Sequence, residues 1–153
     1  MSLIYQRLKP YEHRERLENF IARREMDEIG NIPGIRIIER RRDNPEIYDC
    51  LKLVSDYLEE PRLLESQEIW VLPQLVFERL GYRSVEEPED RDVILYCFDL
   101  SQWFDEENTP FKHLGIMIGT EVRSKWGPYN IFQHPLNAIP NQYGNSVAFF
   151  RKE

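Results

Sequence analysis

The punctuation of the C-terminal part of the chain constrains its fold most. The runs VILYCF (93–98), HLGIMIG (113–119), EVRSKW (121–126), NIFQH (130–134) and SVAFFR (146–151) are short and apolar, and Pro, Gly and Asn separate most of them. Successive strands joined this way predict an antiparallel sheet. Upstream the period changes to that of helices. From Pro10 to about Ile29, Leu17, Phe20, Ile21 and Ile29 recur at helical spacing, and Gly30 stands where a helix stops. In DNPEIYDCLKLVSDYLEEP, Ile47, Leu51, Val54 and Leu58 mark one face of a second helix that Pro61 ends. A third helix runs from Pro73 to Leu80 before Gly81, while GIRIIERRR (34–42) reads as an edge strand or a connector. Helices first and strands second predict an α+β fold with the helices packed on one side of the sheet.

The 153 residues fit one domain, and eight Tyr, eight Phe and three Trp supply a core. Acids outnumber bases, 27 to 20, so the formal charge of −7 works against nucleic-acid binding. The basic run IERRRD (38–43) reads as a solvated strand end. The N-terminus shows no signal-peptide stretch and no window approaches a bilayer span, so a cytoplasmic protein without a membrane partner is expected. The two cysteines, Cys50 and Cys97, are then expected as free thiols, Cys97 in the core. The cysteines and three histidines lack the short spacings of zinc sites, and there is no glycine-rich phosphate loop, so neither metal nor cofactor is expected. His13, on a charged helix face, carries no assigned role.

Alternation along HLGIMIG puts His113, Gly115, Met117 and Gly119 on one strand face and Leu114, Ile116 and Ile118 on the other. Glycine in a strand signals close approach by another element, and the second helix, carrying Cys50, is the natural candidate for the bare face beside His113. A thiol and an imidazole so joined form a nucleophile and its general base.

YDCLKLVSDYL followed by HLGIMIG resembles the NlpC-type papain-like cysteine peptidases and amidases, in which an Asp-Cys pair opens a helix and His-x-Gly opens a later strand. The likeness covers roughly 44–151 and leaves 1–43 as an N-terminal helix and connector; the ending SKWGPYNIFQHPLNAIPNQYG is similar to a poorly characterised bacterial branch. The resemblance implies a papain-like antiparallel sheet, with Cys50 as nucleophile and His113 as base in an acyl-enzyme route at an amide or thioester of a peptide or small molecule. A third polar group normally orients the imidazole. His134 is favoured for this over Ser124, which shares the face of His113 if Thr120 and Glu121 form the hairpin turn. Ser124 and Trp126 fall on one strand face, where they are candidates to contact substrate.

Leu51 and Lys52 depart from the small residues usual after such a cysteine. Two helix starts fit the residues. A start at Asn44 and Pro45 leaves Cys50 in the second turn, whereas Asp49 as N-cap makes Cys50 the first helical residue, where backbone amides favour a thiolate. A second functional reading is a catalytically inactive member of the same fold acting as an acidic module that binds a protein partner.

Overall fold

The computed structural model describes residues 3–40, 49–66, 68–100, 109–127 and 130–153. Its order is β1 (Tyr5–Arg7), α1 (Arg14–Ala22), a 3-10 helix (Met26–Asn31), β2 (Arg36–Glu39), α2 (Cys50–Leu58), α3 (Arg62–Glu65), α4 (Pro73–Arg79), β3 (Tyr82–Val85), β4 (Val93–Cys97), β5 (Phe111–Ile118), β6 (Glu121–Lys125), β7 (Ile131–His134), a second 3-10 helix (Asn141–Tyr143) and β8 (Ser146–Lys152). All eight strands form one antiparallel sheet in the order β1-β8-β4-β5-β6-β7-β2, with β3 also on β8. The chain is therefore α+β. Among the described residues no helix is long and apolar enough to cross a membrane.

Alternation divides the core between the two sheet faces. Leu95, Leu114, Ile116, Ala148 and Phe150 meet α2, α3 and α4 through Val54, Leu63 and Phe77. The opposite face carries Ile94, Tyr96, Met117, Val122 and Phe149. It continues along β6 and β7 to Trp126 and Phe132, which pack on Leu17 of α1 and Ile29 of the first 3-10 helix. Helices thus cover both faces, which corrects the expectation of one side. The N-terminal helix is an integral cover because Leu17 and Ile29 are fully buried beneath it.

The expected first helix is split. Arg24 takes a left-handed φ of 59°, ending α1, and a 3-10 turn follows. The segment at 34–42 supplies the edge strand β2, whose register shifts between Ile37 and Glu39. The basic run beyond Arg40 and the alternative helix start at Asn44 and Pro45 lie outside the described residues.

Candidate functional site

Asp49 caps α2. Its backbone is extended and its side chain accepts the Lys52 N–H at 2.9 Å, so Cys50 is the first helical residue. The amides of Leu114, Leu51 and Cys50 itself point at the sulfur and favour the thiolate, while Asp49 opposes it. Burial outweighs the amides and pushes the thiol up to about 12. Lys52 is turned away into an ion pair with Asp56 at 2.8 Å. The Cys97 thiol is likewise pushed up to about 12, chiefly by burial, and the residue is a core side chain.

The glycine face of β5 is filled by its own neighbour. A Cβ at Gly115 would lie 2.7 Å from Val122 Cγ1, 3.1 Å from the Arg123 carbonyl oxygen and 3.2 Å from Ser124 Cβ. The strand β6 therefore curls over Gly115, and the expectation that the Cys50 helix covers this face is corrected. That helix instead packs on the Leu114 and Ile116 face. Gly119 has φ +62° and no neighbour near its missing Cβ, so it serves the hairpin turn. That turn consists of Gly119 and Thr120, one residue earlier than expected, and Met117 pairs with Val122. The shift preserves parity, so Ser124 keeps to the face of His113.

Tyr96 pairs with His113 across β4 and β5 beside a bulge that leaves Lys112 unpaired. The His113 ring stacks on Tyr143 at 3.9 Å, 2° from parallel, and on Tyr96 at 5.8 Å. It is 1% exposed and its Nε2 has no hydrogen-bond partner among the described residues. Burial, with His134 nearby, holds its pKa well below the usual imidazole value. Cys50 lies in the helix-side core, whereas His113 lies with Tyr96 and Tyr143 on the other face. The sulfur reaches β5 at the Leu114 amide, one residue from His113, but the imidazole is turned away from it.

His134 is engaged at both nitrogens. Its Nδ1 lies 2.8 Å from the Pro135 carbonyl oxygen, to which Nδ1–H donates, leaving Nε2 to accept the Ser124 hydroxyl at 2.9 Å. Trp126 Nε1–H donates to the Ser124 oxygen at 2.9 Å. Ser124, Trp126 and His134 are all buried, and burial brings His134 down to about 4. His134 thus closes a network with Ser124 and does not orient His113, while Trp126 packs on Phe132 in the core.

Sequence reasoning missed Tyr96 and Tyr143, the two rings beside His113, and Lys125, which is fully buried with Nζ donating to the Gly127 carbonyl at 2.6 Å. The Ser-Lys-Trp-Gly run was the available signal. Its serine links two rings, its lysine and tryptophan enter opposite sides, and its glycine takes φ +57°. Among the described residues no group of three His, Cys, Asp or Glu is placed to hold a metal. No family model, curated protein or solved structure matches the chain.

Proposed function

We propose that this chain is a protein-binding module on a papain-like, NlpC-like scaffold, with its cysteine chemistry silent. The reading is carried by the opposition of Cys50 and His113 across the sheet. A base on the far side cannot take the thiol proton, and burial, which pushes the thiol up to about 12, keeps it protonated at neutral pH. The charge of −7 favours a basic protein as partner.

A second reading, a cysteine hydrolase or acyl transferase acting on a peptide or amide, has its own support in the three amides at the sulfur and the unpartnered His113 Nε2. It requires the bulge at Lys112 to move by one residue, which would turn His113 to the α2 face. Iodoacetamide labelling of the native protein across pH decides between them. The binding reading expects Cys50 to label only on unfolding. Native labelling with an apparent pKa below about 8.5, raised by His113→Ala, would overturn it in favour of the enzyme.

A further inference from the structure

We infer that the concavity between the chain leaving β1 and the loop at 141–145 is an anion site for a phosphate or carboxylate head carried on an apolar body. Its volume is about 360 Å³. Three cations, Arg7, Lys9 and Arg14, line it, and among the described residues no carboxylate does. This concentration of positive charge stands on a chain of net charge −7. Arg7 and Lys9 are exposed and form no ion pair with a described residue.

Arg14 is fixed by neutral oxygens. Its guanidinium donates to the carbonyls of Ile139 at 3.2 Å and Asn137 at 3.3 Å, and to Asn141 Oδ1. These bonds set the position of the cation without neutralising it. Two carboxylates next to the lining are hydrogen-bonded: Glu18 accepts the Asn141 N–H at 2.6 Å, and Asp99, beside Phe98, accepts the Tyr5 hydroxyl at 3.5 Å.

The apolar part of the lining is Leu8, Pro10 and Phe98. Its two walls are tied together by the Leu8 N–H to Asn145 carbonyl bond at 2.9 Å. The Asn145 N–H donates to the Cys97 carbonyl at 3.0 Å and its Oδ1 accepts the Ser146 hydroxyl at 3.0 Å, leaving its amide NH₂ as an additional donor. Gly144, at φ +113°, lets the loop approach the Cys97 carbonyl where any Cβ would collide. Backbone bonds therefore set the spacing of the two walls. A fixed cation, two mobile ones and an apolar wall select an anion with an apolar body over an inorganic ion.

The test is an amide NMR titration of the full chain with phenyl phosphate, phenylacetate and the neutral benzyl alcohol. We expect saturable shifts at Leu8, Lys9, Phe98 and Asn145 with a Kd of about 1 mM or tighter for at least one anion. The tighter of the two anions identifies the head group. The double variant Arg7→Gln, Lys9→Gln removes exposed charge that is paired with no described residue, and it should weaken binding about tenfold while leaving the rest of the spectrum in place. Absence of saturation, equal binding of benzyl alcohol, or unchanged affinity in the variant would overturn the assignment.

Discussion

The contact of β6 with Gly115 yields a prediction whose sign can be worked out. Gly115→Ala places a methyl group 2.7 Å from Val122 Cγ1, inside any relaxed carbon contact, and 3.1 Å from a backbone carbonyl that cannot rotate away. Overpacking of this kind costs about 1–3 kcal/mol. Alanine returns about 0.5–1 kcal/mol because it restricts the unfolded chain and suits the strand better than glycine. Taken at their midpoints the two terms leave a destabilisation of about 1.3 kcal/mol, or about 2–5 °C in melting temperature for a chain of this size. Val122→Ala removes the offending methyl and is itself destabilising through lost burial. In a double-mutant cycle, the two changes together should cost about 1 kcal/mol less than the sum of the singles. Urea denaturation of the four proteins measures this directly. Simple additivity, or a Gly115→Ala protein as stable as the parent, would refute the claim that β6 fills the glycine face.

Three further outcomes follow from buried groups. Ser124→Ala strips the partners of Trp126 Nε1–H and His134 Nε2 and is expected to cost about 2–4 kcal/mol in denaturant titrations. His134 stays neutral in the fold down to about 4 while the unfolded chain binds its proton near 6.5, so the unfolded state holds more protons between those values. Its stabilisation is complete above about pH 6.5 and falls by about 3 kcal/mol as pH drops to about 4; His113 acts in the same direction, and His134→Asn should flatten the slope measured by denaturation at several pH values. Asp92, 3% exposed at its side chain, receives Arg151 Nε at 3.0 Å and Nη2 at 2.8 Å, so Asp92→Asn should lower stability by about 3 kcal/mol in thermal melts.

The strands were legible because each carries β-branched or aromatic residues between turn formers, as VILYCF does for Val93–Cys97 and SVAFFR for Ser146–Lys152. The short strands β1 and β3 were not, since YQR is exposed throughout and YRSV follows directly on a helix. Between the two starts considered for the Cys50 helix, the Asp49 cap decides for the later one. The failure at the site was one of faces. Periodicity correctly put His113 with Gly115 and opposite Leu114, but it does not say which element covers which face. The glycine signal for close approach was sound, and a sheet strand rather than a helix answered it. Ser124 and His134 do meet, through a hydrogen bond that depends on the β6 and β7 pairing and so could not be counted along the chain.

The central place of β8 has a consequence for how the molecule assembles. That strand pairs with β4 along one side and with β1 and β3 along the other, joining Tyr5 to Ala148 and stacking Phe150 on Phe77 at 4.6 Å. A nascent chain that has not yet emerged past Asn145 can therefore form its helices and pair β4, β5, β6, β7 and β2, but β1 and β3 have no partner strand and β4 waits with one edge bare. β1 is thus anchored by a strand that follows it by about 140 residues, and that association is delayed until β8 itself has been made.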